Sequence, residues 1–511
     1  MIEVTLNQPE FEYDIHSLIK AFYPSEYVGV SAEKKEYDEP VTSRMHVEYT
    51  DDAITLRWQQ GEMAPAVERT FAVDPLDRPE TKNRLKQNLY ALLSDATGQY
   101  LPWGTLTGIR PTKIPMKLLE EGKSRDEIYT YMKQTYFASD EKICLATDIA
   151  ERELSLLSKI DYDNGYSLYI GIPFCPTTCL YCSFTSYPIA SWAKRVDSYL
   201  DALEREIEFA AVKFAGRHLN SIYIGGGTPT TLEPYQLDRL IRKIKCSFDL
   251  SDCLEFTVEA GRPDSITYEK LKVLRQHGIS RISINPQTMK QETLKLIGRH
   301  HTVEQTVESF HMARELGFDN INMDLIMGLP EETLDDVRRT MEQVAELAPD
   351  NLTVHSLALK RAARLNMFKE DYKDYKIINT QEHMDLVADC AAQMGLFPYY
   401  LYRQKNMAGN FENVGYAAPD KACIYNILIM EEKQTIIACG AGTTTKVVFP
   451  AENRLERVEN VKDVDQYIAR IDEMLAAGCR VALGLDGAHN HMDALVELRQ
   501  AGILQKVRTN R

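Results

Sequence analysis

Three cysteines stand close enough in the chain to act as one site: Cys175, Cys179 and Cys182, in Ile172-Pro-Phe-Cys-Pro-Thr-Thr-Cys-Leu-Tyr-Cys182. Thiolates bind soft metals, and more than one chemistry suits a Cys-X3-Cys-X2-Cys spacing. Zinc uses Cys-X2-Cys pairs, but a structural zinc site takes a fourth Cys or His, which the nearby sequence does not offer. Iron–sulfur clusters are held by cysteine thiolates. Three ligands on a four-iron cluster leave one iron open to a small molecule and to delivery of one electron. On spacing alone a chance or structural trio also fits. The other seven cysteines (Cys144, Cys246, Cys253, Cys390, Cys423, Cys439 and Cys479) stand singly. They read as small buried side chains rather than disulfide partners.

The context of the trio favours a bound ligand. Tyr223-Ile-Gly-Gly-Gly-Thr-Pro-Thr230 follows one unit later. Its glycines let backbone amides and carbonyls approach a small molecule closely. Polar residues then recur where later strands end: Glu259, Gln287, Asp324 and, after an intervening helix, Arg299. Asp324 sits in Met323-Asp-Leu-Ile-Met327, where an unpaired buried carboxylate is costly. One base with several acids and amides suits an amino-acid head group and a ribose.

Those positions are set by alternating short β-rich runs and amphipathic helices. The runs are Ser167–Ile172, Ser221–Gly226, Glu255–Ala260, Arg281–Pro286, Asn320–Met327 and Asn351–Leu359. Val196, Tyr199, Leu200, Leu203, Ile207, Ala211 and Phe214 mark one helical face between the first two. Six such strands imply an α/β fold with a parallel sheet, either open and doubly wound or a partial (β/α)6 barrel. In both, functional residues lie at the carboxyl ends of the strands. Residues 1–160 read as an N-terminal α+β accessory domain with a hairpin at Arg44–Thr50 and Ala53–Gln59. A capping box is expected at Ser124 and Glu127. Trp103–Lys113 reads as an exposed loop whose Arg110 and Lys113 can meet an anion. Residues 161–380 form the barrel, and 381–511 a small, mainly helical domain on the substrate side.

Tyr169-Ile-Gly-Ile-Pro-Phe-Cys-X3-Cys-X2-Cys182 with Gly225-Gly-Gly-Thr-Pro-Thr230 resembles the radical S-adenosylmethionine superfamily. Val258-Glu-Ala260, Arg281–Gln287, Arg299 and Asp324–Pro330 narrow the likeness to the oxygen-independent coproporphyrinogen III oxidase (dehydrogenase) family. The N-terminal unit and Leu106–Lys113 look most like its HemZ branch. The resemblance implies that Cys175, Cys179 and Cys182 ligate a [4Fe–4S] cluster. It implies that Tyr169, Tyr181, Gly226, Gly227, Thr228, Glu259, Gln287, Arg299, Asp324 and Ala358 contact S-adenosylmethionine. One-electron cleavage of the sulfonium would give a 5′-deoxyadenosyl radical that takes hydrogen from a propionate side chain, and loss of carbon dioxide with one further electron would leave a vinyl group. A tetrapyrrole substrate and a flavodoxin- or ferredoxin-type electron donor are the implied partners. Two departures stand out. The oxidases continue Cys-X-Cys after the last cluster ligand where this chain has Cys182-Ser-Phe184, and His355 replaces their aromatic residue, which disfavours a second S-adenosylmethionine.

Composition sets the outer limits. The 511 residues carry a formal charge of −16, which argues against broad nucleic-acid binding. An acidic protein needs local cations to receive a tetracarboxylate, and Lys360, Arg361, Arg364, Arg403 and Lys405 are candidates. No apolar run is long enough to span a bilayer and the first residues lack a signal-peptide pattern, so a cytoplasmic location is expected. The related haem chaperones offer a rival, binding function. They carry a His-Asn-X-X-Tyr-Trp motif, whereas this chain has Cys423-Ile-Tyr-Asn426 in that region.

Overall fold

The computed structural model describes residues 1–476 apart from 34–36, 38, 62, 185, 359–362, 368–374, 405–406, 408–410 and 453. The chain divides into two units, Met1–Leu154 with Pro398–Val414, and Ser155–Phe397 with Gly415–Arg511.

In the first unit the expected hairpin forms from Ser43–Tyr49 and Ala53–Gln60, antiparallel, with Met45 opposite Trp58. Its alternating burial is the mark of a sheet wetted on one face. Val28–Ser31 and Ile2–Leu6 on one side and Val67–Ala72 on the other complete a five-stranded sheet. Helices Glu12–Phe22 and Arg78–Thr97 bring Leu18, Ile19, Leu85 and Leu89 into one core with Val47, Leu56 and Trp58. The capping box at Ser124 and Glu127 opens helix Arg125–Tyr136. Trp103–Lys113 is irregular as expected, yet it is not simply exposed: Trp103 is buried and donates Nε1 to Glu412 at 2.7 Å.

The six expected strands of the second unit are Gly165–Ile172, His218–Gly226, Glu255–Gly261, Arg281–Ile284, Ile321–Met327 and Asn351–Ser356. They lie side by side in chain order and all run parallel. A doubly wound sheet reverses its strand order at a switch point. Here there is no reversal, so the winding is that of a partial barrel. Helix Val196–Lys213 buries Tyr199, Leu200, Leu203 and Ile207 as its periodicity predicts. Each such side chain is worth about 1.5–3 kcal/mol when fully buried, which fastens the helix to the sheet.

The stretch after residue 380 carries more strand than expected. Thr435–Cys439 joins the first strand in parallel, and Thr444–Phe449 with Arg454–Glu459 continues outward antiparallel. The apolar run at Thr435–Cys439 is buried along its whole length, and a strand with both faces covered shows no alternation to read. Gln381–Gln393 and Val464–Ala469 are helical as expected, and the apolar run at Cys423–Met430 forms a helix, Ile424–Glu431. Residues 477–511 lie outside the described part.

Candidate functional site

Register brings the polar residues onto one face. Tyr169 pairs with Tyr223, Tyr223 with Thr257, Glu259 with Ser283, Ser283 with Asn322 and Asp324 with Thr353. Side chains alternate with a period of two, so Tyr169, Tyr223, Glu259, Ser283, Asp324 and His355 share a face. The residues between them, such as Ile170, Ile224, Val258, Ile282, Leu325 and Val354, are buried on the other. Tyr223 donates to Glu259 at 2.5 Å, and Asp324 accepts from Asn322 at 2.7 Å and stands 3.9 Å from His355.

At the carboxyl end of the first two strands the backbone closes tightly. Gly227 N donates to Ile172 O and Thr228 N to Phe174 O, both at 2.7 Å. A Cβ on Gly227 would fall 2.5 Å from Phe174 O, so only glycine fits there. Gly226 has a φ of 107°. The cysteine loop leaves from the same end. Phe174–Cys175 pairs with Tyr187–Pro188, Leu180 N donates to Ile297 O at 2.9 Å, and Cys182 N donates to Cys179 O at 3.2 Å. Thr228 Oγ1 donates to Cys175 Sγ at 3.5 Å. Burial, and after it the Thr228 contact and the neighbouring Cys179 and Cys182 thiols, leave the Cys175 thiol pushed up to about 11. Burial and the two thiols raise it, while Thr228 opposes them. Three thiols thus feel one another, and a bound metal group would remove their protons.

Two guanidinium groups flank the loop. Arg299 is buried, donates to Asn285 O at 2.5 Å, and has no partner for Nε. Burial opposes its charge, but Tyr181 and Cys179 hold its pKa above the ordinary value. Arg262, also buried, reaches Cys179 Sγ at 3.7 Å. His301 feels both and is held down to about 3 by burial and by Arg299, with Arg262 adding to the effect. Glu259 is pushed up to about 7, by burial first and by the Asp324 charge, against the Tyr223 hydrogen bond. Gln287 holds a φ of 70°, unusual for a side-chain-bearing residue, and is pinned there by Gln287 N to Asp324 O and Ile326 N to Gln287 O.

Ser283 Oγ, Asn285 Oδ1 and Arg299 Nε are buried and without a partner. Each such atom costs about 1–3 kcal/mol. Gathered at one end of the sheet, they fit a polar ligand that supplies the missing bonds.

A family model for the radical SAM superfamily matches residues 169–344. The oxygen-independent coproporphyrinogen-III oxidase-like protein HemZ of Bacillus subtilis is 44% identical over 400 residues, 77% of this chain and 79% of that protein. The chain belongs to the radical SAM superfamily, in its HemN/HemZ family. The haem chaperone HemW of Bacillus subtilis is 42% identical over 198 residues, 38% of this chain and 51% of that protein. The oxygen-independent coproporphyrinogen III oxidase of Escherichia coli is 31% identical over 264 residues, 52% of this chain and 57% of that protein.

Radical SAM proteins bind a [4Fe–4S] cluster and S-adenosylmethionine, and they need a reductant and a substrate. The donor set here fits. Three thiols on one loop are the ligand type of an iron–sulfur cluster, and Thr228 and Arg262 lie against two of them. The nearby guanidinium groups suit an anionic cluster.

Several residues differ from the sequence reading. Cys144 and Cys246 are exposed, because each falls on the outer side of its helix, while Cys423 and Cys439 are buried as expected. Arg403, a candidate cation for a substrate carboxylate, is buried in the first unit and donates Nη1 to Leu106 O at 2.6 Å. Lys360, Arg361 and Lys405 lie outside the described residues, and Arg364 is exposed. Arg110 is half-buried and Lys113 exposed at the start of a helix. Ala358 lies half-buried just past the sixth strand. Arg262, Tyr223 and Tyr425 were missed. Tyr169, Tyr223 and Tyr425 form a stack, with Tyr223 and Tyr425 centroids 4.6 Å apart. The period-two register with Tyr169 marks Tyr223 in the sequence; nothing local marks Tyr425, which comes from helix Ile424–Glu431.

Proposed function

We propose that this chain is a radical SAM oxidoreductase of porphyrin biosynthesis that oxidatively decarboxylates coproporphyrinogen III to protoporphyrinogen IX. The carrying observation is the single polar sheet face of Tyr169, Tyr223, Glu259, Asp324 and His355 ending beside a three-cysteine loop. A relative that matches 77% of the chain bears an oxidase-like name, which supports this reading. Cys175, Cys179 and Cys182 would hold the cluster. Tyr169, Tyr181, Gly226, Gly227, Thr228, Glu259, Gln287, Arg299, Asp324 and Ala358 would hold S-adenosylmethionine.

Bound together, cluster and S-adenosylmethionine supply one-electron, hydrogen-abstracting chemistry. The chain's own part is placement. Arg299 offers a buried cation for a carboxylate, and Glu259 and Asp324 offer acceptors for hydroxyl or ammonium groups. Gly226 and Gly227 let the backbone come close. No helix among the described residues is long and apolar enough to cross a membrane. A cytoplasmic location and a flavodoxin- or ferredoxin-type donor complete the proposal.

Haem trafficking is the second reading, favoured by the HemW likeness. Cys423, the cysteine in the chaperone-motif region, weakens it. That thiol is buried, donates to Glu255 at 3.2 Å and is pushed well above the ordinary thiol range by burial. The test is anaerobic reconstitution with iron and sulfide, reduction, and addition of S-adenosylmethionine with coproporphyrinogen III. The two-vinyl product and 5′-deoxyadenosine are expected by mass spectrometry. A fully loaded protein that forms neither, yet binds haem stoichiometrically, would favour the second reading. Replacing Cys175, Cys179 or Cys182 with Ala is expected to abolish cluster binding, read as lost iron and lost visible absorbance.

A further inference from the structure

The third strand carries an irregularity between Glu259 and Gly261, and Gly261 has a φ of 66°. An extra residue in a strand re-aims the side chains that follow it. The next residue is Arg262, which points into the cysteine loop. Its Nη1 donates to Thr177 O at 3.0 Å and Thr177 Oγ1 at 2.7 Å and stands 3.7 Å from Cys179 Sγ. Its Nε and Nη2 donate to Asp264 Oδ1 and Oδ2 at 3.0 and 2.6 Å. The guanidinium is therefore held from one side by a carboxylate and presented on the other to a sulfur.

We propose that Arg262 is a positioning residue that sets the reduction potential of the cluster through its hydrogen bond to the Cys179 sulfur. The inference rests on the reading of Cys175, Cys179 and Cys182 as cluster ligands. Reduction adds negative charge to the cluster and its thiolates, and a cationic donor on a sulfur stabilises that charge. Hydrogen bonds to the sulfurs and local charge are among the levers that set such potentials. Arg262 thus moves the potential to a less negative value, within reach of a biological donor. Asp264 moderates this, because its carboxylate offsets part of the guanidinium charge. The two residues act with opposite signs.

The experiment is a redox titration of the reconstituted full chain, followed by the electron-paramagnetic-resonance signal of the reduced cluster, with iron counted beforehand. Arg262→Gln is expected to make the midpoint more negative by about 59 mV, a tenfold fall in the ratio of reduced to oxidised cluster for one electron. Arg262→Lys, which keeps the charge but not the fork, should recover part of that shift. Asp264→Asn should move the midpoint the other way. A purely structural Arg262 would cost iron content and leave the potential of the loaded fraction unchanged. An Arg262→Gln protein with full iron and the wild-type midpoint overturns the inference. If that variant does not load iron, Asp264→Asn decides: an upward shift supports the proposal, and none, or a downward one, sinks it. A wild-type chain that holds no four-iron cluster would instead overturn the reading of the cysteines, and this inference with it.

Discussion

At Glu259, burial and the Asp324 charge favour the protonated carboxyl, while the Tyr223 hydroxyl favours the carboxylate. The balance puts its pKa at about 7, against an ordinary 4.5. Below the ordinary value the group is protonated whether the chain is folded or not. As pH rises from there to about 7, the unfolded carboxyl ionises first, so stability is lost across that window. Glu259→Gln removes this loss. The ligand-free variant is expected to be more stable than wild type above pH 7, by on the order of 1–3 kcal/mol, with the advantage vanishing toward pH 4. Thermal denaturation at several pH values checks this. The same substitution should weaken S-adenosylmethionine binding at pH 8, read by calorimetry, because an acceptor becomes partly a donor.

The strand ends depend on backbone more than on side chains. Gly227 lies against Phe174 O and Ile172 O, neither of which can yield as a flexible side chain would. Gly227→Ala is expected to push the cysteine loop away from the second strand, at a cost of about 2 kcal/mol in chemical denaturation and with lower iron retention. The helix Ile424–Glu431 shows another dependence. Glu255 Oε2 accepts from Ile424 N at 2.9 Å, and Oε1 accepts from Cys423 Sγ at 3.2 Å, so a strand carboxylate caps a helix distant in sequence. An anion suits a helix N-terminus. That cap holds Tyr425 in its stack with Tyr223.

Over the whole chain, the first unit is closed by a segment that arrives late. Glu412, in Pro398–Val414, accepts from Trp103 and pairs with Lys142 at 2.8 Å, both carboxylate and ammonium being buried. Among the described residues, Glu412→Gln leaves the buried ammonium paired with the exposed Glu141 carboxylate alone. A buried pair broken on one side costs about 3–5 kcal/mol. The loss should lie toward the lower end here, since Glu141 remains, and urea denaturation measures it.

Residue order alone marked the candidate ligands and most of the elements. The cysteine spacing, the glycine run and the six β-rich runs are local signals, set by residue type and by a period of two or 3.6. For the same reason Asp324 and Glu259 could be named before their neighbours were known. Other features depend on residues far apart in the chain, where pairing and burial rather than local propensity decide. The unreversed strand order needs register, which no single strand carries. Arg262 needs a bulge to turn it toward Cys179. Arg403 is drawn inside because its partner carbonyl, on Leu106, lies 297 residues away. Tyr425 and the strand Thr435–Cys439 find their places through contacts with the first three strands, so only the tertiary structure could assign them.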